Sequence, residues 1–510
     1  MTTVFQTSFL CRILLAFAAL WRQSGICALL CRLDHAFPRW LSGSVVFRFF
    51  ARDGAATRAW PGSVTSAAMG GLFNLPTALA RWIYRPCRKV LEGSFFWRLL
   101  ALLGQSTALL TGLFLLVLLS VPHDYWNNAY GFLGALVLAA LFVLASARGQ
   151  LQVELTRLGP WFTFFLLSIG AALFTSYSTS LSLRFFLFYV GAFLLTLLIV
   201  SSVSRTDQLV ALLTAVTFGL LICGVYGCYQ AYTGVEVVAS QQDMLVNYGM
   251  PGRIYSFFDN PNNFAEILVM LLPLVFALLI VSRNWRVKVL ALAALVVGVV
   301  SLGATLSRSS WIGLAVAAVV FLALINWKVL PLFLLVGFFC LPLLPDTIYN
   351  RILTIGDSRD TSTNYRFQIY NASFTMIKDY WFRGTGLGSD AMVAVFEQYP
   401  PMRDGNFPVH THNNYLQMWG ELGLFGGIFH LGTVFGQLKQ GVKAYCAPPA
   451  DRALRVILAA AIGAFCGILV IGLAEYTWYY PRNLFIFWSL FGIIAACVKL
   501  SGRPEQLDTH

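Results

Sequence analysis

The chain carries little charge for its length. Of its 510 residues only 11% are Asp, Glu, Lys or Arg, whereas 58% are hydrophobic. A soluble protein would carry about 25% charged residues. The apolar residues fall in long blocks, close to the ~20 residues that cross a bilayer as a helix. This composition excludes an ordinary soluble domain and predicts an all-α, polytopic integral membrane protein.

Several common chemical signatures are also missing. The ten cysteines are dispersed and form no CxxC pair, so neither a zinc site nor a disulfide framework is predicted. The chain has no Asp-x-Asp motif, no P-loop and no GxSxG motif. The usual metal clamp for nucleotide sugars is therefore not visible, and no cofactor is predicted.

The net charge of +13 does not indicate nucleic-acid binding. The basic residues are scattered between apolar blocks and form no stripe. We expect them to fix the orientation of the chain and to contact anionic membrane lipids.

The apolar blocks predict about twelve spans within residues 99–499. Their approximate limits are 99–121, 130–147, 160–176, 185–203, 208–231, 263–282, 288–306, 310–326, 328–345, 412–436, 455–474 and 484–499. A large loop, 346–411, precedes the tenth helix, and residues 500–510 form a tail. The sequence therefore predicts one large transmembrane domain.

Residues 1–98 differ from the rest of the chain. Their apolar stretches, 13–21, 44–50 and 69–80, are too short to span and are interrupted by arginine. We predict a basic, interfacial N-terminal segment of amphipathic helices. It lacks a clear cleavage site, so we expect it to remain uncleaved. A basic flank precedes the first span, at Arg81, Arg85, Arg88, Lys89 and Arg98.

The distribution of basic residues between alternate loops predicts the orientation. Loops around Arg205, Arg286 and Lys443 are basic, whereas those at 122–129 and 177–183 contain no Lys or Arg. Basic loops stay in the cytoplasm, which places both termini inside. Arg253, Arg308, the 346–411 loop and His412 then fall on the outer side.

The large loop contains one clear pattern of its own. Apolar residues at Tyr370, Phe374, Ile377 and Trp381 are spaced as one face of a helix over 364–381. The motif Gly384-Thr385-Gly386-Leu387-Gly388 follows it. Since no buried strand precedes these glycines, we interpret them as a loop turn.

The segment from His412 to Gly423 places polar side chains at the mouth of an apolar helix. If that helix starts near Thr411 or His412, one face carries Asn414, Gln417 and Glu421. An imidazole has an ordinary pKa near neutrality, which suits a general base. The alternative is a polar helix end with a packing stripe at Gly420, Gly423 and Gly427. His410 forms a His-x-His pair with His412, but no third ligand is evident, so no metal is predicted.

Two isolated arginines lie in other outer loops. Arg253 precedes the turn Asn260-Pro261-Asn262-Asn263, in which Asn is expected to cap the next span. Arg308 lies in Ser307-Arg308-Ser309 between two apolar blocks. Either arginine could snorkel to lipid phosphate, or the two could clamp a pyrophosphate through bidentate contacts. Arg366 is a weaker third candidate.

These residues together resemble the O-antigen ligase and polymerase superfamily. The family pattern His-Asn/Ser-x-x-Leu, with Gly after it, is matched at His412-Asn413, Leu416 and Gly423. The resemblance covers about residues 99–499, and residues 1–98 have no counterpart. The chain has Ser256 where glycine is usual, and Phe382 where proline often precedes the glycine turn.

The resemblance implies a metal-independent, inverting glycosyltransferase of the GT-C type in the bacterial cytoplasmic membrane. The donor would be a glycan on undecaprenyl pyrophosphate, and the acceptor a hydroxyl on a lipid, the wall or another glycan. Arg253, Arg308 and Arg366 would bind the pyrophosphate, and His412 would activate the acceptor. Supporting roles would fall to five further residues, Asn262, Asn413, Asn414, Gln417 and Glu421.

Two questions stay open from the sequence. Ligase and polymerase differ only in the acceptor, which variable loops recognise. A transporter of a small anion or glycan, as in bicarbonate-transport-like relatives, is the competing class. It would be expected to place paired charges or broken helices near the bilayer midplane, and to show repeats.

Overall fold

A computed structural model describes residues 52–149, 151–237, 251–353, 361–403, 405–447 and 451–502, with scattered positions before residue 52. The chain divides into two compact units, Met1–Arg58 and Ala59–His510. The second unit contains all the helices discussed below. The sequence stretches 13–21 and 44–50 and the tail 500–510 lie almost entirely outside the described residues.

The described part of the second unit is helical and contains no strand. Its helices are α1 (Val64–Gly93), α2 (Phe95–Gln105), α3 (Thr107–Ser120), α4 (Ala129–Ser146), α5 (Gly159–Thr175), α6 (Thr179–Ser202), α7 (Thr206–Thr233), α8 (Pro261–Val281), α9 (Trp285–Ala304), α10 (Arg308–Asn326), α11 (Leu330–Cys340), α12 (Asp346–Leu353), α13 (Thr361–Tyr380), α14 (Gly388–Phe396), α15 (Asn414–Cys446), α16 (Arg452–Ile471) and α17 (Pro481–Ser501).

The helices are long and apolar enough for a polytopic membrane protein. Nine helical runs among the described residues could cross a membrane, or ten if α2 and α3, which are bent by 76°, form one span. The class predicted from the sequence is thereby confirmed, whereas the number of twelve is not.

Two features account for the lower number. The spans predicted at 310–326 and 328–345 form one helical run, Arg308–Leu343, and α15, which carries Glu421, His430 and Gln437, is not among the nine. Asn326 nevertheless interrupts the long run, with φ −161° and ψ 89°. The Ile348 side chain then lies beside Gly303, next to the start of α10. The chain therefore reverses direction between α10 and Ile348.

The core lies around α8, α16 and α17, most of whose residues are buried. Helix α16 packs so closely on α10 that a Cβ on Gly467 would lie 2.5 Å from the Gly313 carbonyl oxygen. A Cβ on Gly463 would lie 2.6 Å from the Ala317 oxygen. Small residues allow this approach where lipid gives no hydrophobic driving force between helices.

Helix α15 is broken at Gly423, which has φ +68°. The break leaves the carbonyls of Gly420 and Glu421 to accept from the Thr385 and Gly386 amides, at 2.8 and 3.1 Å. The glycine turn after α13 thus fills the break in α15. The expected loop turn is present, but Gly423 serves this junction rather than a simple helix–helix stripe.

The described part of the 346–411 loop is folded into α12, α13 and α14. Helix α13 covers the predicted region, but its buried face differs from the predicted one. Ile369, Met376 and Ile377 are buried, whereas Phe374 and Trp381 are each 49% exposed. The predicted face was wrong by part of a turn because Ser373, which is buried and bonds back to Ile369, occupies the inward position.

Helix α1 docks on the connection between α4 and α5. The Asn74 side chain pairs with both backbone groups of Val153, each at 2.9 Å. Trp60 Nε1 donates to the Thr156 carbonyl at 2.8 Å. The other face of α1 exposes Leu72, Leu75 and Trp82. Helix α1 therefore has one face docked on the bundle and another that exposes apolar side chains; its position at the membrane interface stays a prediction.

Candidate functional site

The predicted polar residues come together at one end of the helix bundle, around a carboxylate that was not predicted. Glu475 lies in the short connection between α16 and α17 and is 5% exposed. Its Oε2 lies 3.0 Å from His412 Nδ1, and Oε1 pairs with Arg366. Asn262 Nδ2 donates to the same Oε1 at 3.3 Å. Three predicted site residues from three distant segments therefore meet at one side chain.

Glu475 is held as a carboxylate. Burial alone would raise its pKa, but the charge of Arg366, and then the hydrogen bond and charge of His412, outweigh burial and lower the pKa to about 2. The carboxylate is therefore ionised at any physiological pH.

His412 is presented by an unusual backbone. It has φ +48°, and it precedes α15, whose N-cap is Asn413. The helix thus begins at Asn414, two or three residues later than the predicted start near Thr411 or His412. The imidazole is 29% exposed, and Nδ1 faces an ionised carboxylate, so we assign the proton to Nδ1. This leaves the Nε2 lone pair, to which no described residue donates a hydrogen bond, to accept a proton from a substrate hydroxyl.

His410 lies against His412, with ring centroids 4.2 Å apart. Its Nδ1 accepts from the His412 amide at 3.2 Å. Burial, and then the charge of His412, lower the pKa of His410 to about 3. His410 is therefore a neutral partner of the loop and adds no positive charge beside His412.

Arg253 is fixed by two neighbouring segments. Its Nε donates to the Thr305 carbonyl at 2.8 Å, and Nη2 donates to Asn262 Oδ1 at 2.5 Å. Asn262 thus bridges Arg253 and Glu475. It belongs to the first turn of α8, whose N-cap is Asn260, as the Asn-Pro-Asn-Asn turn predicted. Through Asn262, the first turn of α8 therefore orients the side chains of both Arg253 and Glu475.

Several guanidinium groups converge near Arg253. Burial, and then the charge of Arg351, lower the pKa of Arg253 to about 10, and Arg308 and Arg366 repel its proton further. Arg308, the first residue of α10, and Arg351 in α12 therefore lie close enough to act on Arg253. Four guanidinium groups share one region, which is the chemistry that binds phosphate oxygens.

The backbone around this region is strained in three places. Outside glycine, the described residues with positive φ are Ser256 (+54°), Leu306 (+52°) and His412 (+48°). Each lies within three residues of Arg253, Arg308 or the histidine itself. Left-handed backbone costs energy for residues with a Cβ and concentrates at functional sites. At Ser256, where the resemblance drawn from the sequence leads us to expect glycine, the positive φ is a conformation that glycine adopts without strain.

The remaining predicted residues act on the backbone of the site. Gln417 accepts from the Thr411 amide at 2.8 Å and donates to Glu421 at 2.7 Å. Asn414 pairs with Thr477 through two hydrogen bonds of 2.8 and 2.9 Å. The predicted polar face of α15 therefore positions the residues just before His412 and just after Glu475.

Glu475 and Arg351 were missed in the sequence. Glu475 lies one residue beyond the predicted span 455–474, and a carboxylate at that depth is a functional signal. Arg351 lies in the 346–411 loop, where no pattern separated it from other arginines. The described residues contain no group of three or more His, Cys, Asp and Glu side chains arranged to hold a metal.

The comparison with known families agrees with this part of the chain. Residues 293–431 match the family model described as O-antigen ligase. The matched segment contains Arg308, Arg366 and His412, whereas Arg253 and Glu475 lie outside it. No curated protein matches the chain. The resemblance drawn from the sequence is confirmed over the matched segment.

Proposed function

We propose that this membrane protein, which resembles O-antigen ligases over residues 293–431, is a glycosyltransferase of surface-polysaccharide biosynthesis. It transfers a glycan from undecaprenyl pyrophosphate to a hydroxyl acceptor at the outer face of the bacterial cytoplasmic membrane. The single observation that carries this proposal is the position of the His412–Glu475 pair beside the converging guanidinium groups of Arg253 and Arg308.

Glycosyl transfer needs a base for the acceptor hydroxyl and positive charge near the departing pyrophosphate. The acceptor hydroxyl attacks the anomeric carbon and forms a new C–O bond, while its proton moves to His412 Nε2. The bond between the anomeric carbon and the pyrophosphate oxygen breaks, and the electron pair leaves with undecaprenyl pyrophosphate. Arg253 and Arg308 stabilise the charge that develops there, and Glu475 stabilises the imidazolium. In-line attack inverts the anomeric centre.

Arg366 has a different role from the one suggested by the sequence alone. Because it pairs with Glu475, we propose that it holds this carboxylate in place beneath His412 as well as adding positive charge to the pyrophosphate site. On this proposal the arginines supply the electrostatic stabilisation that a metal ion provides in other glycosyltransferases, and the architecture is of the GT-C type.

The sidedness of the site is part of the proposal. Both termini lie in the cytoplasm, and the site end of the bundle faces outward, where no nucleotide pool exists. A donor already activated on a lipid fits this location. The acceptor is a second lipid-linked glycan for a polymerase, or a lipid or wall anchor for a ligase.

A turnover assay in liposomes tests the proposal. Wild-type protein with an undecaprenyl-pyrophosphate oligosaccharide and chelator is expected to release undecaprenyl pyrophosphate. His412→Ala and Arg308→Ala are expected to lower kcat by roughly 10²–10⁴-fold. The length of the product separates polymerase from ligase.

The same liposomes test the transport alternative. Arg383, an arginine of the outer loop that lies over the Tyr380 ring, gives the matched control Arg383→Ala, which should retain activity. If no donor is consumed while a small anion or a free glycan crosses the bilayer, the protein is a carrier and the enzyme proposal is wrong.

A further inference from the structure

An open cleft of about 560 Å³ lies where the α3–α4 connection meets the start of α6. This volume is in the usual range for small-molecule sites. The wall residues that matter here are Asp124, Tyr125, Trp126, Asn127, Tyr130 and Arg184. None of them belongs to the site described above.

Among the aromatic residues of the lining, two tyrosines are largely exposed, whereas Trp126 is held in place by its neighbours. Tyr125 and Tyr130 expose 78% and 52% of their surface. Between them, Trp126 contacts Tyr130 edge to face, with centroids 5.9 Å apart. The buried Arg482 lies 4.6 Å from the Trp126 ring centroid and fixes it from within the bundle. A braced ring flanked by two exposed tyrosines offers flat apolar surface at little entropic cost.

The polar part of the lining suits uncharged hydroxyl groups. Arg184 is paired with Asp390 at 2.6 Å, which neutralises its charge but leaves further N–H donors. Asp124 supplies acceptors on the same wall. Because the wall's positive charge is compensated, the cleft lacks the chemistry of a phosphate site. Rings combined with a charge-compensated guanidinium donor and a carboxylate acceptor match the apolar face and the hydroxyl edge of a pyranose.

The cleft is connected to the candidate site through the segment that carries Glu475. His123 Nδ1, beside the cleft, lies 3.3 Å from the Tyr480 hydroxyl. Tyr479, which precedes Tyr480 in the chain, has its ring centroid 4.8 Å from that of His410, and the His410 ring contacts His412. The cleft and His412 thus lie at the same end of the bundle, with Tyr479 and Tyr480 between them.

We propose that this cleft binds an uncharged pyranose unit of the glycan substrate, at a position remote from the bond that reacts. The inference rests on the proposed function in that it takes the substrate to be a glycan. Binding at such a remote subsite lets the enzyme select the glycan, since binding energy away from the reacting centre orients the substrate.

Membrane-interface packing is the other role that exposed tyrosines perform. Such residues anchor the chain at the headgroups and have no affinity for sugar. Tyr232, 91% exposed at the site end of α7, provides a matched control, because it is an exposed tyrosine outside the cleft.

Equilibrium binding tests the proposal without turnover. The full chain with His412→Ala, in nanodiscs, is titrated with uncharged oligosaccharides of one to four glucose, N-acetylglucosamine or rhamnose units, and followed by saturation-transfer NMR. Saturable binding is expected. Adding Tyr125→Ala and Tyr130→Ala should weaken it by about tenfold or more, whereas adding Tyr232→Ala should leave it unchanged.

Three results would overturn the inference. They are no saturable binding of any of these sugars, unchanged binding after removal of both cleft tyrosines, and an equal loss with Tyr232→Ala. Failure of the proposed function has a different signature. In that case sugar binding depends on the cleft tyrosines, but wild-type protein releases no undecaprenyl pyrophosphate in liposomes.

Discussion

Glu475 is the residue on which the candidate site depends most. It is the shared partner of His412, Arg366 and Asn262. Glu475→Gln keeps the shape but removes the charge that fixes the imidazole proton on Nδ1. We expect kcat for glycan transfer to fall by roughly 10²–10⁴-fold, with a smaller change in KM. The measurement is steady-state release of undecaprenyl pyrophosphate across a pH series.

The matched control is Glu397→Gln, which removes an exposed carboxylate from the 346–411 loop and should retain activity. A merely structural role for Glu475 would lower the melting temperature and the yield of folded protein without altering the pH profile of the active fraction. Unchanged kcat in folded Glu475→Gln protein would contradict the role assigned to it.

His410 makes stability depend on pH. Its pKa is lowered from 6.5 to about 3 in the folded state. As the pH falls below 6.5 the unfolded chain takes up a proton that the folded chain does not, so stability decreases between pH 6.5 and 3. The expected slope reaches about 1.4 kcal/mol per pH unit. Glu475, whose pKa is lowered to about 2 from 4.5, contributes the same sign only below pH 4.5.

Thermal melting of the detergent-solubilised protein between pH 7.5 and 4.5 tests the histidine through the difference between wild type and variants, since the contributions of the other titrating groups cancel in that difference. His410→Gln retains an acceptor for the His412 amide and should flatten the pH dependence, whereas His123→Gln, at an exposed histidine, should not. If wild type and His410→Gln show the same slope in this range, the buried neutral state of His410 is wrong.

At the level of elements, the glycine turn fills the break in α15, the helix that begins just after His412. A Cβ on Gly384 would lie 2.2 Å from the Glu421 oxygen, and one on Gly423 would lie 2.1 Å from the Phe382 oxygen. Both glycines have positive φ, +75° and +68°. We expect Gly384→Ala or Gly423→Ala to destabilise the protein by about 2–5 kcal/mol, measured as melting temperature and recovery of monodisperse protein.

Gly427→Ala is the control for these substitutions. Gly427 lies on the same helix, but the nearest atom to its Cβ position, Trp419 Cα, is 3.6 Å away, so alanine should be tolerated. Equal tolerance of alanine at Gly384 would show that the turn does not fill the break in α15.

The sequence predicted elements better than it predicted their faces and junctions. Apolar length marks α8, α16 and α17 directly, and the Asn-Pro-Asn-Asn turn predicts the start of α8. The buried face of α13 was missed because Ser373 satisfies its hydroxyl within the helix and turns inward. The break at Gly423 was missed because a glycine in an apolar helix looks the same whether it permits helix packing or a positive φ.

For the whole molecule, the predicted orientation in the membrane groups residues that are far apart in the chain. Charge asymmetry between loops placed Arg253, Arg308 and His412 on one side, and the structure brings them to one end of the bundle. The partners within that end could not be predicted, because no periodic pattern links residue 262 to residue 475. Their proximity follows from how α8 and α16 pack, which a single sequence does not encode as a spacing.

Orientation in the membrane is the property that decides which substrates the site can meet. The 122–128 loop is tied to the Glu475 segment through His123 and Tyr480, so a label on that loop reports the side of the site. Asp207 lies at the opposite end of the bundle. Ser176, just before α6, donates a hydrogen bond to the Thr385 carbonyl in the glycine turn, whereas the far end of α6 leads into the start of α7, where Asp207 lies.

Asn127→Cys and Asp207→Cys, each in a cysteine-free chain, should differ in labelling by a membrane-impermeant maleimide. We expect labelling in intact cells only at position 127, since the 122–128 loop lacks basic residues. Labelling only at position 207 would show that the site faces the cytoplasm. Nucleotide-activated donors are present there, so the argument for a lipid-linked donor would fail.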